Sequence, residues 1–84
     1  MDWTLEAHPN PAHKEFTVSL KGTRIHEGLQ LQIMDREGRI VVPLSPFIEN
    51  SLQVYGEQLK PGAHTLQLIH QGQPLIQRNI YVLP

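Results

Sequence analysis

The chain contains no cysteine, so it can draw neither on disulfides nor on thiolate metal ligands for stability. It also has no surplus of one charge: seven basic and eight acidic side chains leave a formal charge of -1. Lys14, Lys21, Arg24, Arg36, Arg39, Lys60 and Arg78 are spread along the sequence and do not cluster. That dispersion argues against nucleic-acid binding, which needs grouped cations to displace phosphate counterions. The longest aliphatic run, Ile40-Val41-Val42, is far short of the roughly 20 apolar residues a membrane helix requires. Trp3, Phe16, Phe47, Tyr55 and Tyr81 are too dispersed for a base- or sugar-stacking platform. The first residues, with Asp2 and Glu6 and no basic leader before an apolar run, do not have the pattern of a secretory signal peptide.

What is present is a short chain with a dominant period of two. At 84 residues it suits one compact domain, which buries only about 60–65% of the surface its unfolded form exposes. Every apolar strand face is therefore needed for stability. Phe16, Val18 and Leu20 alternate with polar neighbours, as do Leu29, Leu31 and Ile33, then Leu52 and Val54, then Leu66 and Leu68. Residues 38–43 predict a short, more fully apolar strand, residues 75–83 a terminal strand, and residues 3–7 a weaker first strand. Residues 25–28 could form one helical turn, but Gly22 and Gly28 beside them favour a loop. Residues 43–50 are expected to be a loop, because Pro43 and Pro46 remove ladder donors.

The punctuation between these segments predicts hairpins. Asp35 to Gly38 joins two strands with a glycine free to take positive φ. Pro61-Gly62 fits a type II turn, and Gln71-Gly72 serves the last hairpin. About seven strands with breaks every eight to twelve residues indicate an all-β, immunoglobulin-like antiparallel β-sandwich, with a small closed barrel as the alternative. Phe16 is expected in the core and Phe47 over one end.

A search for chemistry finds little. His8, His13, His26, His64 and His70 form no helical i, i+4 pair, and none is joined by a carboxylate at metal-site spacing, so no metal and no cofactor is expected. His64 and His70 share a strand face, and one of them is expected to pack against apolar neighbours. Asp35 and Glu37 are more simply turn formers than a general acid and base. There is no phosphate-binding loop, nucleophile elbow or cysteine nucleophile, and an enzyme is not expected.

Three short signatures stand in a fixed order: Pro9-Asn10-Pro11 before an alternating strand, Asp35-Arg36-Glu37-Gly38-Arg39 after Leu31 and Ile33 and before Ile40 and Val41, and Leu59-Lys60-Pro61-Gly62 before Leu66 and Leu68. Each alone is an ordinary turn sequence. In this order, over residues 6–83, they resemble the C-terminal sorting domain of proteins exported by the bacterial type IX secretion system. On that resemblance the motif residues are Pro9, Asn10, Pro11, Asp35, Gly38, Arg39, Leu59 and Gly62. Two departures stand out: His64 where relatives often have an aromatic residue, and Arg78 within a last strand that ends Asn79-Ile80-Tyr81-Val82-Leu83-Pro84 in place of a basic strand. Arg78 shares parity with Ile76, Ile80 and Val82, so it either snorkels from an edge strand or is displaced by a bulge.

The resemblance implies a non-catalytic address carried by a larger precursor, from which residues 1–84 would be a single excised domain. It implies recognition in the periplasm by an outer-membrane translocon or shuttle, delivery to the outer membrane and cell surface or beyond, and transfer to a surface sortase. A retained docking module of the surface attachment complex is the alternative within the family, and a generic adhesion or binding module the alternative outside it. Recognition is expected to centre on residues 73–84, with Arg78, Asn79, Ile80, Tyr81 and Val82 as the partner-facing set, by β-augmentation of an exposed sheet edge. The same edges make a homodimer conceivable.

Overall fold

The computed structural model describes residues 4–12, 15–22, 28–47, 49–55 and 59–84. Seven strands follow one another: β1 (Thr4–His8), β2 (Glu15–Lys21), β3 (Leu29–Asp35), β4 (Ile40–Pro46), β5 (Ser51–Tyr55), β6 (Gly62–His70) and β7 (Gln73–Val82). They form a three-stranded sheet, β1-β2-β5, and a four-stranded sheet, β4-β3-β6-β7, with every ladder antiparallel. The result is a β-sandwich. Among the described residues no ladder closes the two sheets into one, so the barrel alternative is set aside. Trp3 and the possible helical turn at residues 25–28, all but Gly28, lie outside the described residues.

The period of two in the sequence becomes the inner face of each sheet. Phe16, Val18 and Leu20 on β2 are buried against Leu29, Leu31 and Ile33 on β3 and Leu66 and Leu68 on β6, with Leu5, Val54, Ile80 and Val82 completing the core. Phe47 is buried at its margin and is held there by its N–H, which donates to the Leu29 carbonyl at 3.0 Å. β6 departs from simple alternation. It lies between β3 and β7, and Gln67 and Ile69 on its outer face are buried as well. Gln67 Oε1 accepts a hydrogen bond of 2.9 Å from Gln32 Nε2, which offsets the cost of enclosing its amide.

β4 runs into the segment expected to be a loop and takes up its residues 43–46. Pro43 and Pro46 are tolerated because β4 is the outer strand of its sheet and is bulged. Between Leu31↔Ser45 and Ile33↔Val42 the register slips by one residue, which places Pro43 in the extra loop of chain. The bond from Phe47 to Leu29 fixes the parity beyond it, so the Pro46 nitrogen faces away from β3 and no ladder donor is lost.

The hairpins follow the turn residues. Gln71 and Gly72, at φ 51° and 77°, make the two-residue loop between His70 and Gln73 that matches the right-handed twist of the strands. Gly62 also takes positive φ, 127°, but as the first residue of β6 opposite Val82 and not inside a hairpin turn.

Truncating Phe16, the largest of the fully buried side chains among the described residues, has a calculable effect. Phe16→Ala should lower the unfolding free energy by about 3–5 kcal/mol, whereas Leu44→Ala, on the exposed outer strand, should cost less than about 1 kcal/mol. Urea unfolding at neutral pH, read by circular dichroism, checks both.

Candidate functional site

The ladders of the four-stranded sheet bring the three sequence signatures to one rim. β3 ends at Asp35, which pairs with His64 near the start of β6. Gly62, the first residue of β6, pairs with Val82, the last of β7. Ala12, just past Pro9-Asn10-Pro11, then bridges Val82 in parallel: its N–H donates to the Tyr81 carbonyl at 2.7 Å, and its carbonyl accepts from the Leu83 N–H at 2.8 Å. Asn10 Oδ1 lies 3.5 Å from the Tyr81 nitrogen. Read across the rim, the order is Arg39, Asp35, His64 and Gly62, Tyr81 and Val82, then Ala12 and Asn10.

Asp35 organises its own turn. Its carbonyl accepts from the Gly38 N–H at 3.0 Å, its N–H donates to the Arg39 carbonyl at 2.9 Å, and its Oδ1 accepts from the N–H groups of Glu37 and Arg39, both at 2.9 Å. Gly38, at φ 82°, supplies the left-handed residue this turn requires. The Arg39 N–H bond to its carboxylate holds Asp35 below its ordinary carboxyl pKa. The Glu37 N–H, the Arg39 guanidinium and His64 act in the same direction, against a partial desolvation. Arg39 Nε is 3.4 Å from Asp35 Oδ2 and its Nη2 3.6 Å from Glu37 Oε2, exposed contacts that orient the arginine more than they stabilise the fold.

Asp35, Arg36, Arg39, Lys60, Pro61 and His64 border an open cleft of 370 Å³ between the second and third signatures. His64 is buried there, and its Nδ1 lies 3.1 Å from the Gly62 carbonyl. Of the two histidines on this strand His64 is the buried one, while His70 is half-buried. Leu59 is buried in the core. Its role is therefore to anchor the approach to Gly62. Among the described residues no group of three His, Asp or Glu side chains could hold a metal; His13 and His26 lie outside them.

The expected partner-facing set divides in two. Ile80 and Val82 are core residues, so their side chains are not available to a partner. Arg78, Asn79 and Tyr81 are exposed. Arg78 remains in register opposite Leu66, and the slip in β7 lies earlier, between Pro74 and Ile76. It therefore sits on the inner-facing parity of an outer strand, where it lines an open seam together with Glu6 and His8 of β1, and the bulge alternative is set aside. Ala12 carried no sequence signal: a small residue in a polar stretch gives no hint that it closes the edge of the last strand.

A family model described as the secretion system C-terminal sorting domain matches residues 6–82, which includes all three signatures and β7 up to its end. The chain belongs to that family. No curated protein and no solved structure matches the chain significantly. The sorting domain is a signal for type IX secretion, and it implies export of the protein that carries it to the cell surface or the extracellular space. As an address it must be read by that machinery, and its three family signatures form one continuous rim.

The lowered pKa of Asp35 makes one prediction. A carboxylate with a depressed folded pKa contributes stability that is fully present above its unfolded value of 3.8 and is lost as pH falls through the lower folded value. Asp35→Asn keeps an acceptor for the turn but removes the charge. Its stability should fall less steeply than that of the unsubstituted domain as pH drops below about 4, as measured by thermal melts across a pH series.

Proposed function

We propose that the sorting domain is read in the periplasm by the outer-membrane translocon or its shuttle through the outer edge of β7, and is then passed to the surface sortase. The domain acts by being bound and not by catalysing a reaction. What supports β7 as the reading surface is its free backbone. The Ala12 bridge fixes Tyr81 and Leu83 as the residues whose N–H and C=O groups point away from β6. By the two-residue period Gln77 and Asn79 point the same way, and among the described residues nothing pairs with them. An extended segment of a partner can add there by β-augmentation, with the register limited at one end because residues 10–12 already occupy the edge beside Tyr81.

Arg78 adds a charge to this surface. Among the described residues it forms no ion pair, and it stands in the seam between β7 and β1. A partner carboxylate meeting it there would gain a charge-assisted contact in a partly desolvated position. Deleting the last ten residues is a poor test, because Ile80 and Val82 belong to the core and the truncated chain would not keep its fold.

Point substitutions separate recognition from folding. Gln77→Pro removes an outward donor on an outer strand, where proline is tolerated, and Arg78→Ala removes the charge. In a reporter fused ahead of the domain, each should lower the surface-delivered fraction about tenfold, equivalent to roughly 1.4 kcal/mol of recognition, with the protein accumulating in the periplasm and the melting temperature little changed. Normal delivery by both variants would remove β7 as the reading edge. A reporter that reaches the surface still joined to the domain would assign it as a retained docking module.

A further inference from the structure

The sandwich has four outer strands, and three of them carry features that restrict where a partner strand can pair. β1 carries Glu6, with His8 and Lys21 within 3.1 and 4.0 Å of its carboxylate. β4 holds two prolines and two register slips. β7 holds Pro74, one register slip and the Ala12 bridge at its end. Charges, prolines and bulges of this kind are the usual means of blunting an exposed edge.

β5 has none of them. Its five residues, Ser51–Tyr55, include no proline, glycine or charge, and they pair with β2 without a slip. The Leu20 N–H donates to the Asn50 carbonyl at 2.7 Å, which sets the parity of the ladder. Leu52 and Val54 therefore direct their backbone groups to β2, and Ser51, Gln53 and Tyr55 direct theirs outward. Among the described residues those outward groups have no partner. Beside this edge, on the side of the sandwich away from β7, an open cleft of 280 Å³ separates β5 from β4. It is lined by Val41, Val42, Pro43, Leu52, Val54 and Tyr55 among others, and among the described residues no charged one lines it. Tyr55 is 66% exposed at its margin.

We infer that the outer edge of β5 is a second strand-addition site, which takes an extended, uncharged segment of a protein of the export machinery, with an apolar side chain seated in the β4–β5 cleft. The reading rests on the sorting function, which requires a machinery protein to hold the domain, and it is independent of β7. The unpaired backbone calls for an extended chain, and the neutral cleft calls for a neutral one. Size decides between a transient partner and a lasting dimer. Pairing along a strand of five residues stays well below the roughly 1,000 Å² that a stable interface needs. A signal that is bound and then released fits that weak contact, and a permanent second copy does not.

Gln53→Pro tests the edge, because the nitrogen it alters faces outward and proline is compatible with an outer strand. Gln53→Val keeps the N–H and removes only the side-chain bond to Thr17, 2.8 Å long. The readout is surface delivery of a reporter carrying the full domain, with folding checked by thermal melting and association by sedimentation. The expected result is a loss of delivery of at least about tenfold for Gln53→Pro, equivalent to roughly 1.4 kcal/mol of recognition, near-normal delivery for Gln53→Val, and a monomer throughout. Ser51→Pro, at the first residue of the strand, supplies the same test if Gln53→Pro fails to fold. Normal delivery by a folded proline variant would overturn the inference, as would an equal loss for Gln53→Val. A dimer that the proline variant abolishes would also overturn it, by making a second copy the occupant. Failure of the unsubstituted domain to deliver the reporter would instead reject the sorting function itself.

Discussion

The pairing of β6 with β3 on one side and β7 on the other holds the rest of the molecule in place. β6 is buried on both faces, carries Leu66 and Leu68 into the core, and fixes through its register where β3 ends and where β7 ends. Without cysteine, the domain depends on this ladder and on the packing of β2 across it. The ladder also determines the candidate site. Asp35, Gly62 and Val82 reach one rim because His64 pairs with Asp35 and with Ile80, and Gly62 with Val82. Ala12 then joins the first signature to the last strand by two short hydrogen bonds. Signatures separated by some 20 residues each in the sequence become neighbours for this reason.

Much of the fold was legible because the chain alternates where it is half-buried. Phe16, Val18 and Leu20, and Leu29, Leu31 and Ile33, could be assigned to the core from period alone, and Gly38 and Gly72 marked turns that do need positive φ. Residues 43–46 were misread because proline was weighed as a breaker of ladders. Its effect depends on which side of a strand is bonded, and that is set by the bulge and by Phe47, which local sequence does not reveal. Gln67 and Ile69 were hidden for a related reason: on a central strand flanked by β3 and β7 even outer-face residues are buried, so the pattern does not alternate.

The site was legible only in part. The signatures identified the family, and the family match over residues 6–82 covers them all. Their convergence on one rim could not be read from the sequence, since it depends on ladder register over separations such as that between Asn10 and Tyr81. The expected partner-facing set was too broad, because strand parity sends Ile80 and Val82 inward while Asn79 and Tyr81 face out. The protection of the outer strands adds a further distinction. β4 and much of β7 carry features that deter unspecific pairing, and what remains open is confined to short stretches of backbone on opposite sides of the sandwich. Open stretches this short suit the proposed reading by strand addition and offer little template for aggregation.

The central claim is that this folded domain is itself a sufficient address. The direct measurement places residues 1–84 behind a reporter directed to the periplasm and compares its surface delivery in strains with and without the type IX machinery. The account predicts surface reporter in the first strain and periplasmic reporter in the second. Equal delivery in both strains, or none in either while the domain is folded, would contradict it.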